Sequence, residues 1–152
     1  MDNYLAAEDL IKQRLIATVP AIPARNVLSA ADLDGVKEAG QATPALHVIY
    51  FDDDVPTKDG SSAGSGRDQI TRQLWLVTLV VRNVRDKAGA GIRNDAGLVI
   101  GSVLSSLQGW QPSAEHGPLQ RRKSPYRPTY RNGFAYFTFL FSTQIFVKAV
   151  TE

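Results

Sequence analysis

The stretch from Gln69 to Val84 is apolar on both sides of a two-residue repeat, and this limits the possible folds more than any other feature of the chain. Successive side chains of a strand point to opposite faces. Ile70, Leu74, Leu76 and Val80 therefore share one face with Arg72, Thr78 and Arg82, while Trp75, Val77, Leu79 and Val81 share the other. A strand that is apolar on both faces lies inside a sheet and is covered on each side. Two further runs can pair with it. Ala45 to Phe51 is a shorter run of the same kind, and Phe134 to Val147 places Phe137, Phe139, Phe141, Ile145 and Val147 on one face.

With 152 residues, 43% of them hydrophobic, the chain can bury one real core, and residues 1–152 read as a single domain. The net charge of +2 leaves no general polycation, so any basic function is local. Cysteine is missing from the sequence, which excludes disulfides, thiolate nucleophiles and thiolate zinc sites. Asp2, Glu8, Asp9, Lys12 and Arg14 interrupt the N-terminal region where a signal peptide needs an apolar stretch. Leu74 to Val81, the uncharged centre of the long strand, falls far short of the roughly 20 residues of a membrane-spanning helix, and no membrane partner is expected.

Around these strands the chain supplies cover. Tyr4, Ala7, Ile11 and Leu15 recur at helical spacing within Asn3 to Thr18, opposite Lys12 and Arg14. Pro20 and Pro23 stop this helix, and Asn26 to Leu28 follows as a short edge strand. Within Ser29 to Gly40, Asp32 or Ser29 caps a short helix reaching Val36 to Glu38, which Gly35 weakens. Asp52 to Asp68 holds five aspartates and three serines, with Val55 and Ala63 as its only apolar side chains, and reads as the long tip of an antiparallel hairpin. A second helix begins within Lys87 to Gly91 and carries Ile92, Ala96, Val99, Ile100, Val103, Leu104 and Leu107 as its stripe, with Gly109 at its C-terminal cap. Leu119 to Arg122 is a short strand, and Asn132 and Gly133 form the turn into the last one. The fold class is α+β: a mixed, mainly antiparallel sheet of about four to five strands packed with two main helices.

Motifs with chemical potential meet the wrong context. Gly60, Ser61, Ser62, Ala63 and Gly64 match G-x-S-x-G, with Asp95 and His116 following in triad order, but a nucleophile elbow needs a strand before the serine and a helix after it. Gly89, Ala90 and Gly91 echo a dinucleotide fingerprint, yet Asn94 replaces its third glycine. Asp52, Asp53 and Asp54 offer carboxylates to a hard cation, but neighbours on a strand diverge, which favours solvated groups. His47, between apolar neighbours, reads as a hydrogen-bonded core residue, and His116 lies in a polar link. No catalytic, cofactor or metal residue is assigned. The remaining cluster is Arg121, Arg122, Lys123, Arg127 and Arg131, interleaved with Tyr126 and Tyr130. Cations meet phosphates and tyrosines stack on bases, so this is a nucleic-acid face or, since arginine and tyrosine also dominate protein contacts, a subunit interface.

The order of elements resembles the tail terminator family of tailed bacteriophages. The likeness is carried by the TPALHVIYFDD strand, the long loop, the RQLWLVTLVVRNVRD strand, the AGLVIGSVLSSLQGW helix and the RNGFAYFTFLFSTQIFV strand. It implies a non-enzymatic structural protein without cofactor. Such a protein forms a six-fold ring on the tail tube, stops tube polymerisation and offers a head-attachment surface, with DNA passing through the ring. The implied partners are further copies of itself, the tail tube protein and a head-completion or neck protein; the implied place is the virion tail or neck, assembled in the host cytoplasm. Interface candidates are Asp52, Asp53, Asp54, Lys58 and Arg67 on the long loop and Arg121, Arg122, Lys123, Tyr126, Arg127, Tyr130 and Arg131 on the basic stretch. A head-to-tail joining or tail completion protein of the same fold, and then a nucleic-acid-binding module, are the alternatives.

Overall fold

The computed structural model describes residues 3–38, 42–56, 69–82 and 90–150. The elements run α1 (Ala7–Thr18), a 3-10 turn (Ala24–Asn26), β1 (Val27–Ser29), α2 (Leu33–Glu38), β2 (Ala45–Asp54), β3 (Gln69–Arg82), α3 (Ala90–Leu107), β4 (Gln120–Arg122), β5 (Thr129–Arg131) and β6 (Phe134–Val147). They form one six-stranded sheet in the order β1-β2-β3-β6-β4, with β5 also on β6. Only β1 and β2 are parallel; the other pairs are antiparallel. The architecture is α+β as expected; among the described residues β5 on β6 is a strand beyond those expected, and α2 is the short helix expected within Ser29 to Gly40.

The central pair is β3 with β6, in unbroken register from Gln69 opposite Val147 to Arg82 opposite Phe134. Its alternation divides the core as the sequence demands. Trp75, Val77 and Leu79 of β3 join Phe137 and Phe141 of β6 under Ile11 and Leu15 of α1 and Val103 and Leu107 of α3. On the opposite face Leu76 and Val80 join Tyr136 and Leu140 beneath Leu33 and Val36 of α2. Asp32 caps α2 by accepting the Gly35 N–H at 2.7 Å. Two buried threonines meet in the middle of the pair, Thr78 Oγ1 to Thr138 Oγ1 at 3.0 Å.

Arg14, expected on the solvent side of α1, ties the two long helices together. Its Nε donates to the Ser106 carbonyl at 3.0 Å, and its guanidinium lies 5.4 Å from the Trp110 ring centroid. Gly109, at φ +75°, ends α3 in the left-handed region that favours glycine. Its N–H then donates to the Leu119 carbonyl at 2.8 Å, and Leu119 donates back to Trp110 at 2.8 Å.

Two expectations need correction. The strand from Ala45 does not stop at Phe51 but continues through Asp54, with a register shift between Tyr50 and Asp52, because long-range partners hold the aspartates in the ladder. His116 is not in a solvated link: it is 3% exposed and bridges Ile145, since Gly117 donates to the Gln144 carbonyl at 2.7 Å and draws the link onto β6. His47 is buried on β2 as expected.

Candidate interaction surface

The basic stretch is built at the outer edge of β6. β4 pairs with Leu140 to Ser142 and β5 pairs with Phe134 to Tyr136, so the intervening residues 123–128 form an arm that leaves Phe137 to Phe139 without a strand partner on that side. The turn that returns β5 to β6 uses Asn132 at φ 54° and Gly133 at φ 80°, the pair of positive angles a two-residue hairpin turn requires. Register then fixes the sides. Arg121, opposite Phe141, lies on the α3 face with its guanidinium 5.5 Å from the Phe139 ring centroid, a cation–π contact. Tyr130, opposite Ala135, shares that face, meets Phe137 edge-on at 6.4 Å and approaches Arg93 of α3 at 3.5 Å. Arg122 points to the other face and donates to Ser142 Oγ and Gln120 Oε1, both at 2.9 Å.

The arm does not simply extend into water. Tyr126 meets Phe51 edge-on at 6.1 Å, and Phe51 belongs to β2, two strands away from β6, so the tip leans back across the sheet. Between arm and sheet lies a groove of about 600 Å3, lined among others by Ile100, Arg121, Lys123, Tyr126, Phe137 and Phe139. Lys123, Arg127 and Arg131 are exposed. Aromatic and aliphatic walls rimmed by cations match the composition of protein interface centres.

On the opposite side of the sheet β1 pairs with Leu46 to Val48, and among the described residues no strand pairs with β2 on that side from Ile49 onward. This part carries the aspartates. Asp54 forms a bidentate ion pair with Arg72, at 2.9 and 2.5 Å. Asp53 Oδ2 accepts the Tyr4 hydroxyl at 2.7 Å and also the Tyr50 hydroxyl. These bonds hold the Asp53 carboxyl below the usual carboxylate range, while burial, followed by the bond to Asp53, pushes both tyrosines up. Asp52 Oδ1 accepts the neighbouring Asp53 N–H, at 2.8 Å. Beneath them the fully buried Gln73 donates to the Tyr4 carbonyl at 2.6 Å and accepts the Trp75 indole N–H at 3.3 Å, which fixes the start of the chain on the sheet.

Of the twelve interface candidates, the structure groups Arg121, Arg122, Lys123, Tyr126, Arg127, Tyr130 and Arg131 on the β4–β5 edge and Asp52, Asp53 and Asp54 on the β2 edge. Lys58 and Arg67 lie outside the described residues, as do residues 57–68 with their G-x-S-x-G match, Gly89, and the last two residues of the expected Gln69 to Val84 strand. Asp95 is on α3 and His116 on the β6 edge. Burial holds the imidazoles of His47 and His116 below their ordinary value, and His116 Nδ1 shares a 2.6 Å hydrogen bond with Ser113. Among the described residues no three potential ligands gather for a metal ion, and no helix is long and apolar enough to cross a membrane. Sequence reasoning missed Phe51, Arg72, Tyr4 and Gln73. Arg72 opposite Asp54 follows from counting the hairpin register back from Ala45 opposite Val80, allowing for one bulge; the role of Tyr4 has no local signal.

Comparison with known proteins gives two findings. The family described as phage tail terminator protein matches residues 1–151. A chain of a solved structure, the virion of a native gene transfer agent particle, has the same fold at a TM-score of 0.57 and 14% identity, with 95% of this chain and 100% of that chain covered. No curated protein matches the chain significantly.

Proposed function

Because this chain belongs to the phage tail terminator family, whose members are structural proteins of the tail, we propose that it closes the end of a tail tube as a ring of six identical subunits. In that position it ends tube polymerisation and offers a surface to a head-completion or neck protein, with DNA passing through the ring. The work is binding rather than catalysis. The observation that carries this reading is the sheet with two unfinished edges. Among the described residues no strand pairs with the outer side of β2 from Ile49 onward, and the arm leaves part of β6 unpaired over an aromatic and cationic groove. Open edges invite further pairing, and closing a ring covers them. The protein's expected place is the tail or neck of the particle, assembled in the host cytoplasm.

The test is to add the purified protein to growing tail tubes and measure tube length by electron microscopy. Capping predicts short tubes bearing a ring at one end. Tubes of unchanged length, with the protein found instead on isolated heads, would favour a head-to-tail joining protein of the same fold. A nucleic-acid module predicts duplex binding that falls steeply with salt and with loss of Arg121, Arg122 and Arg127.

A further inference from the structure

Charge is divided along the chain far more sharply than the net +2 suggests. Residues 116–151 contain six cations and no carboxylate, whereas residues 27–68 contain eight carboxylates and three cations. The fold places these segments on opposite sides of one sheet. The cationic segment builds β4, the arm, β5 and β6, while the acidic segment builds β1, α2 and β2. Among the described residues Arg72 forms an ion pair with Asp54. Lys123, Arg127 and Arg131 on the basic edge and Asp52 on the acidic edge are exposed.

We infer that the groove under the basic arm receives the acidic end of β2 from a second copy of this chain, so that subunits join head to tail through opposite charge. This rests on the ring reading and specifies its contact. Either edge facing its own like would set cations against cations or carboxylates against carboxylates, and like-charge contacts are what interfaces avoid. The paired strands β2 and β6 flank β3, and within one chain the arm reaches β2 through the ring contact of Tyr126 with Phe51. A head-to-tail contact leaves the same free edge on each added subunit, and it ends only when the rotation closes a ring. The groove suits the visitor. Its Phe137 and Phe139 walls can take an apolar side chain such as the exposed Val55 that follows Asp54, while Lys123 and Arg127 stand exposed beside it for Asp52.

The experiment uses two full-length variants, Lys123→Glu with Arg127→Glu, and Asp52→Lys. All three positions are exposed, and circular dichroism checks the fold. Self-association is followed by light scattering and sedimentation, and capping by microscopy on tail tubes. Each variant alone is expected to associate at least about tenfold more weakly than the unsubstituted protein, as reversed charges at a contact predict. An equimolar mixture of the two should recover rings, because at the exchanged positions one variant is acidic on both edges and the other basic on both, so each faces its opposite only in the other. Unchanged association of the arm variant, or a mixture that stays dissociated, would overturn the inference while leaving the ring in place. An arm variant that still assembles but no longer binds duplex DNA would reassign the arm to nucleic acid. If the unsubstituted protein forms no ring, free or on tubes, the ring reading itself falls.

Discussion

The Thr78–Thr138 pair offers a sharp test of the β3–β6 register on which both open edges depend. Both residues are buried, Thr78 at 0% and Thr138 at 7% exposure, and each hydroxyl has the other as its partner at 3.0 Å. Thr78→Val keeps the shape, removes that bond and strands the Thr138 hydroxyl away from water. A lost neutral hydrogen bond is worth about 1 kcal/mol, and a stranded buried hydroxyl raises the cost to about 1–3 kcal/mol. Thr138→Val should cost a similar amount for the same reason. The double variant strands nothing, so it should lie within about 1 kcal/mol of the parent, since replacing both partners by apolar groups of one shape is near neutral. Urea unfolding followed by the fluorescence of buried Trp75 measures all four proteins, at a concentration low enough to exclude assembly. Strong non-additivity is the expected outcome. If the two single costs simply add in the double variant, the hydroxyls do not pair and the register is wrong.

Other consequences follow from individual groups. Burial lowers the affinity of His47 and His116 for protons, so the unfolded chain protonates first. Stability should be full above the ordinary value of 6.5 and decline as pH falls through it toward the lower folded values, by at most about 1.4 kcal/mol per pH unit for each histidine. Replacing both by Gln should flatten urea midpoints between neutral pH and pH 5; an unchanged slope would exclude them as the cause. The Asp53 carboxyl is lowered from 3.8, so its contribution is present above that pH and is lost as pH falls through the lower folded value. Asp53→Asn should remove this acid dependence and speed hydrogen exchange at residues 4–7 without affecting exchange in β6. Gly109 sits at φ +75° with open space around it, so Gly109→Ala should cost about 1–2 kcal/mol through backbone strain alone. A thermal midpoint equal to that of the parent would show that the α3 cap relaxes freely.

How much of this was legible depended on how local each cause is. The two-residue repeat in Leu74 to Val81 and Phe134 to Val147, and the helical spacing of Ala7, Ile11 and Leu15, are written in adjacent residues, and those elements stand where the repeat puts them. The same holds for Asp32, Gly109 and the Asn132–Gly133 turn, where one side chain or one positive φ decides the structure. The aspartates of β2 were misread because three adjacent carboxylates oppose a strand locally, and their partners Arg72 and Tyr4 are 18 and 49 residues distant. His116 was misread for a similar reason, since its burial is decided by Ile145. The residues of the basic arm were legible as a cluster from composition alone. That Tyr126 folds back toward Phe51 was not, because it depends on which strands lie between them.

The central claim is that identical copies of this chain close into a ring that caps a tube. Electron-microscope class averages of the protein on tail tubes, with mass by light scattering on the same sample, test it most directly. The account predicts six-fold rings with a central opening, seated at tube ends, and tubes that grow no further. Tubes that elongate to the same lengths with the protein present, together with a single-subunit mass at every concentration, would contradict it.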